Sequence, residues 1–117
     1  MAKPLHGIKV VDLSRILAGP WCTQALADLG AEVIKVERPD VGDDTRTWAP
    51  PYLRDSAGAD TSEAAYYLSC NRGKQSVCID IASAAGQAQV RALLANADVL
   101  VENYKVGQLK KDRKSVV

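Results

Sequence analysis

Four stretches of this sequence place charged and hydrogen-bonding residues directly after apolar runs. They are Ser14-Arg15-Ile16-Leu17-Ala18, Glu37-Arg38, Asp80-Ile81-Ala82 and Glu102-Asn103-Tyr104-Lys105. Arg15, Arg38 and Lys105 are candidate anion partners, and Tyr104 offers a stacking face. A guanidinium is a planar fork that matches phosphate oxygens, so this set suits a phosphorylated nucleotide. The competing reading is that these cations are solvated surface charges or partners of Asp43, Asp44 and Glu102. Surface ion pairs are common and contribute little.

Other chemistries find little support. His6 is the only histidine, and it precedes the first apolar run, a surface position outside any Ser-His-Asp or Cys-His site. Cys22, Cys70 and Cys78 lack the C-x-x-C spacing of a zinc knuckle and are odd in number, against a disulfide framework. They read as small buried or half-buried thiols in a reducing cytoplasm. A dinucleotide fingerprint needs G-x-G-x-x-G after the first strand, where this chain has SRILAGPWC. Glu37 does end the second strand, where a ribose contact would lie, but the pyrophosphate turn is missing. There is no G-x-x-x-x-G-K-[ST] phosphate loop.

The elements that must carry these residues can be read from periodicity. Ile8–Leu13 is a β-branched run that predicts a buried strand. Gly19-Pro20 then turns the chain, with Pro20 suited to the first helical position. A helix is expected over Pro20–Leu29, with Cys22, Ala25, Leu26 and Leu29 as its apolar stripe and Gly30 as its stop. Ala31–Val36 predicts a second strand with Glu32 and Lys35 at its margins. Residues Arg38–Asp60 lack apolar periodicity and read as a long loop anchored by Trp48 and Tyr52. A short helix over Glu63–Leu68, a cationic turn at Asn71–Lys74 and a strand over Ser76–Ile81 come next. Ser83 is placed to cap a helix reaching Ala95, with Val90, Leu93 and Leu94 on one face, and Asp98–Glu102 is the last strand. This β-α-β, loop, β-α-β order predicts an α/β, Rossmann-like domain with a mostly parallel sheet. Its ligands would sit outside the carboxyl ends of the strands, where the four stretches lie. There the amino end of the first helix adds backbone N–H groups and a positive dipole.

Composition bounds the class. With 47% hydrophobic and 25% charged residues, the 117-residue chain fits one globular domain. A net charge of +1 gives no field that points to nucleic acid or a membrane surface. No apolar run approaches the roughly 18 residues of a spanning helix. The amino terminus has no apolar core followed by a cleavage site, which argues against a secretory signal.

Three segments together carry a resemblance. PLHGIKVVDLSRILAGPWCTQALADLGAEVIKVERPDVGDDTR resembles the amino terminus of the family III CoA-transferases, the CaiB/BaiF type. YYLSCNRGKQSVCIDI and ADVLVENYKVGQL resemble the next two landmarks of that family, in order, so the likeness covers Pro4–Leu109. GDDTRTW followed by APP looks closest to the dicarboxylate branch that includes succinate–hydroxymethylglutarate CoA-transferase, alongside the formyl-CoA transferases.

The resemblance implies a site for coenzyme A, as acyl-CoA substrate and product, with no metal. Leu17 and Ala18 would contact CoA, and Arg38 would bind its nucleotide end. Ile79, Asp80, Ile81 and Ala82, with Asn103, Tyr104 and Lys105, would line the adenosine region. A further basic contact would come from Lys110 or Lys111. The family moves CoA from an acyl-CoA to a carboxylic acid through an anhydride and a thioester on an enzyme aspartate. That aspartate lies several tens of residues beyond the V-E-N-[YF] landmark, and none of Asp12, Asp28, Asp43, Asp44, Asp80, Asp98 or Asp112 matches its place. The expectation is therefore the amino-terminal, CoA-binding part of such a domain over residues 1–109, incomplete relative to the family's full domain, with 110–117 an off-pattern basic tail. Such a chain would be inactive alone and unable to form the family's interlocked homodimer. The alternative is a non-catalytic module that binds CoA or an adenine nucleotide, or that associates with a subunit.

Overall fold

The computed structural model describes residues 2–108. Lys110, Lys111 and the rest of the basic tail lie outside the described residues. In chain order the elements are β1 (Lys9–Asp12), α1 (Ala18–Asp28), β2 (Glu32–Glu37), a 3-10 turn (Asp44–Thr47), β3 (Tyr52–Arg54), β4 (Asp60–Ala64), α2 (Ala65–Cys70), β5 (Lys74–Cys78), α3 (Ala84–Ala95) and β6 (Val99–Val101).

The α/β architecture is as the sequence predicts. β1, β2, β5 and β6 form one sheet in the order β5-β2-β1-β6, and all three pairings are parallel. The chain steps outward from β1 to β2 to β5 and then returns to the other side of β1. Such a reversal opens a crevice at the carboxyl ends of β1 and β6, where ligands of open parallel sheets bind.

The two faces of the sheet differ. Val11, Leu13, Val36, Ile79 and Val90 pack together on the α3 side, with Leu93, Leu94 and Tyr104 against them. Val10, Ala31 and Val33 pack on the α1 side, under Leu26 and Ala27. Side chains alternate along a strand, so Asp12 shares the α1 side with Val10, and Lys35 and Glu37 share it with Val33. That side is apolar at its amino end and charged at its carboxyl end.

This polarity corrects two expectations. Lys35 is not at a strand margin but fully buried. The apolar stripe of α1 is not Cys22, Ala25, Leu26 and Leu29. The helix buries Gly19, Pro20, Thr23 and Gln24, while Cys22, Ala25 and Leu29 are exposed. Thr23 faces inward to donate to Asp12 on the sheet, and Gln24 faces inward to bond Ser69 O and Arg72 N at the end of α2 and the turn after it.

The first helix also starts earlier than expected, with Ala18 as its first residue and Pro20 its third. Proline is tolerated there because the first-turn amides have no intrahelical partner. A Cβ on Gly19 would overlap Ser14 Cβ and Oγ, so glycine lets the helix start close against the strand end. At the other end Gly30, at φ +106°, donates to Ala27 O, and Ala31 donates to Leu26 O. This paired C-terminal closure is the task the sequence assigns to Gly30.

Residues Arg38–Asp60 are more ordered than the expected loop. They hold the 3-10 turn and one arm of the β3–β4 hairpin, where Tyr52 faces Ala64 and Arg54 faces Asp60. Its strands are short and largely exposed, so they show no apolar alternation. Trp48 meets Tyr66 edge-on, with ring centroids 5.3 Å apart. Ser83 caps α3 as expected, its Oγ accepting from Gly86 N at 2.9 Å.

Candidate functional site

The turn from β1 into α1 is held by side chains of three other segments. Ser14 N donates to Asp12 Oδ1 at 2.8 Å, and Ser14 Oγ donates to the same oxygen. Arg15 is gripped at both backbone groups by Asn103, whose Oδ1 accepts from Arg15 N at 3.2 Å and whose Nδ2 donates to Arg15 O at 2.8 Å. Ile16 N donates to both oxygens of Asp43 at 3.2 Å. Lys35 Nζ donates to Ser14 O at 3.3 Å and to Asp43 Oδ2 at 2.8 Å. Ile16 itself stands at φ +77°. A β-branched residue there is strained by about 1–3 kcal/mol, which the surroundings must offset.

Behind the turn lies a buried polar layer. Asp12 accepts from Thr23 Oγ1 at 2.6 Å and Lys74 Nζ at 3.2 Å. Lys74 also donates to Pro20 O and Asn71 Oδ1, both at 2.9 Å, and burial depresses its ammonium pKa. Glu37 accepts two bonds from Arg46 at 2.8 Å, one from Tyr67 OH at 3.0 Å, one from Asp43 N at 2.8 Å and one from Ser76 Oγ. Burial would raise the Glu37 pKa, but the Arg46, Ser76 and Asp43 donors outweigh it and hold the group at about 2. The Arg46 guanidinium also lies 3.8 Å from the Tyr67 ring centroid, a cation–π contact. Burial pushes the Tyr67 hydroxyl pKa up, and the adjacent Glu37 charge adds to this. Burial likewise pushes Asp43 up, while Lys35 and Thr45 pull it below the ordinary value.

In front of the turn is a cleft of about 200 Å³ lined by Arg15, Arg38, Asp80, Ile81, Ala82, Tyr104 and Gln108. Both arginines reach Asp44, Arg15 at 3.3 Å and Arg38 more closely, and Arg38 also donates to Gly42 O at 3.2 Å. The acidic partners suggested by sequence are thus sorted by the fold. Asp44 takes both guanidiniums, Asp43 takes Lys35, and Glu102 accepts from Tyr104 N at 2.8 Å. The arginine side chains stay 40% and 52% exposed, and both line the cleft. Two cations, one aromatic face and the apolar edge of Ile81 and Ala82 fit the phosphates and base of a nucleotide.

Five of the ten residues proposed from sequence therefore share one cleft: Arg38, Asp80, Ile81, Ala82 and Tyr104. Leu17 and Ala18 line a separate apolar hollow of about 340 Å³ with Trp21. Ile79 packs in the core on the α3 side. Asn103 is committed to the Arg15 backbone, and Lys105 is exposed beyond the cleft. Arg38 also lines a second hollow, of about 240 Å³, with Glu37, Gly42, Arg46, Ser76 and Cys78. His6 is exposed as expected, whereas Cys22 and Cys78 are exposed thiols and only Cys70 is buried. Among the described residues no group of three or more His, Cys, Asp or Glu side chains is arranged to hold a metal ion.

The sequence reading missed the polar layer of Asp12, Lys35, Glu37, Asp43, Arg46 and Lys74. A signal was present in period two. Val10 and Asp12, and Val33, Lys35 and Glu37, are alternate residues, and the register sets Asp12 beside Lys35 and Lys35 beside Ser76. Reading it required knowing that polar side chains from α1, α2 and the 3-10 turn would cover that end.

Fold and cleft together define an open parallel α/β sheet with a crevice at its switch point that two arginines line. The sequence pattern of CoA-transferase family III matches residues 5–113, and the chain belongs to that family. It is 54% identical over 102 residues to a succinate–glutarate CoA-transferase of Agrobacterium fabrum, covering 87% of this chain and 25% of that protein. It is 52% identical over 107 residues to the human succinyl-CoA:glutarate CoA-transferase, covering 92% of this chain and 23% of the relative. The crystal structure of a CAIB/BAIF family protein from Brucella suis matches with a TM-score of 0.85 at 50% identity, over 99% of this chain and 31% of that one. The chain thus spans about a quarter of the length of the curated relatives it matches.

Proposed function

We propose that this chain forms the CoA-binding, amino-terminal part of a CoA-transferase that moves CoA between an acyl-CoA and a carboxylic acid. The observation that carries the proposal is the cleft that Arg15 and Arg38 line together with Ile81, Ala82 and Tyr104. The nucleotide end of CoA lies there, its phosphates on the guanidiniums and its base against Tyr104 and Ile81. Asp44 keeps the two cations side by side before ligand arrives, which lowers the ordering cost of binding. The pantetheine arm runs toward the apolar hollow at Leu17, Ala18 and Trp21. The acyl-bearing aspartate stands outside residues 1–117, and the dicarboxylic acids named for the relatives are the substrates we favour.

Calorimetric titration of CoA into the chain tests this, with dispersed amide NMR signals as the check that the sample is folded. Saturable binding is expected, and Arg38→Ala should weaken it about 10- to 100-fold, the range for a lost charged hydrogen bond. The same folded sample should give no thioester exchange between succinyl-CoA and glutarate. No heat from a folded sample, or an Arg38→Ala affinity equal to the parent's, refutes the site. Exchange activity refutes the placement of the aspartate.

A further inference from the structure

We infer that Asn103 is a positioning residue whose carboxamide grips the Arg15 backbone and so keeps Ile16 in its left-handed conformation. This rests on the CoA reading and gives Asn103 a task other than contacting adenosine. Both polar atoms of the carboxamide are engaged, Oδ1 by Arg15 N and Nδ2 by Arg15 O. The residue therefore acts across the gap between β1 and β6 much as a neighbouring strand would. It continues the ladder past Asp12 and Val101, the last paired residues of β1 and β6.

The grip matters because the next residue is under strain. Ile16, at φ +77°, is a β-branched residue in a region such residues avoid. Asp43 takes its amide from one side, and Asn103 fixes the preceding residue from the other. The next residues, Leu17 and Ala18, open α1 with no side-chain cap. Were the turn to relax to negative φ, the helix start and its hollow would shift relative to the Arg38 cleft. CoA must reach both places at once. Asn103 thus sets the fraction of molecules able to bind, and apparent affinity falls with that fraction.

The test is an epistasis measurement with CoA titrations and amide exchange on the folded chain. Asn103→Ala should weaken CoA binding about tenfold, because Ile disfavours the left-handed state by roughly that factor. Exchange of the Ile16 amide, whose own partner is Asp43, should accelerate in the same variant. In an Ile16→Gly background the left-handed conformation no longer opposes the side chain, so Asn103→Ala should cost only about twofold. An equal loss in both backgrounds overturns the inference and makes Asn103 a direct ligand contact. Unchanged Ile16 exchange in Asn103→Ala also overturns it. Failure of the parent chain to bind CoA refutes the functional reading instead, and the exchange comparison then decides the role of Asn103 by itself.

Discussion

Replacing Lys35 by methionine should unbalance the site from beneath. Both side chains of the Lys35–Asp43 pair are fully buried, with Nζ 2.8 Å from Oδ2. Methionine keeps the apolar stem and leaves the Asp43 carboxylate without its cation. Removing one partner of a buried pair costs about 3–5 kcal/mol, because the remaining charge stays desolvated. With a urea slope of about 1.5 kcal/mol/M, the unfolding midpoint should fall by roughly 2–3 M. The pH dependence has a definite sign. Asp43 is held below the ordinary carboxylate value because Lys35 and Thr45 outweigh its burial. Its contribution to the parent's stability is therefore present above the unfolded pKa and lost as pH falls through the folded one. Without Lys35, burial dominates and the folded pKa rises, so protonation stabilises the variant. The deficit of Lys35→Met should then be full at neutral pH, begin to shrink as pH falls through the variant's raised folded pKa, and shrink further below about pH 4 as the parent loses its own contribution. Urea melts across pH read both quantities, and Asp43→Asn added to Lys35→Met should recover part of the loss at pH 7. A midpoint shift below about 0.5 M, or a deficit that widens on acidification, would refute this account of the pair.

The same physics sets two further outcomes. Glu37, held at about 2 against an ordinary 4.5, contributes about 3 kcal/mol that is present above its unfolded pKa and lost as pH falls through about 2. Stability measured by urea melts should drop across that window, and Glu37→Gln should flatten the profile there. Ser83→Ala removes the cap of α3, whose Oγ accepts from Gly86 N. It should cost about 1 kcal/mol, with Ser83→Asp nearly neutral, and thermal melts of the three proteins rank them.

The strand and helix order was legible because its signals are local. The β-branched run before Asp12, Gly30 as a helix stop and Ser83 as a cap act within a few residues of themselves, and the structure places each as expected. The β3–β4 hairpin escaped notice because its exposed strands carry no alternation to read. The inward face of α1 was misjudged for a related reason. Helical periodicity shows which residues share a face, but not whether the surface waiting for that face is apolar. Here it is charged, and Thr23 turns inward to meet Asp12 at 2.6 Å.

By itself, the sequence determined the family and the α/β order, and it brought Arg38, Asp80, Ile81, Ala82 and Tyr104 to strand ends that share a cleft. A parallel sheet collects the residues that come after its strands, so their position in the chain is enough. Only the tertiary structure decided how the remaining polar residues are used. Asn103 lies 88 positions from Arg15 yet completes its backbone bonds, and Lys35 finds Asp43 inside the molecule. Those pairings depend on which segments cover the sheet and on the need of each buried polar group for a partner, a condition set by the whole packed chain.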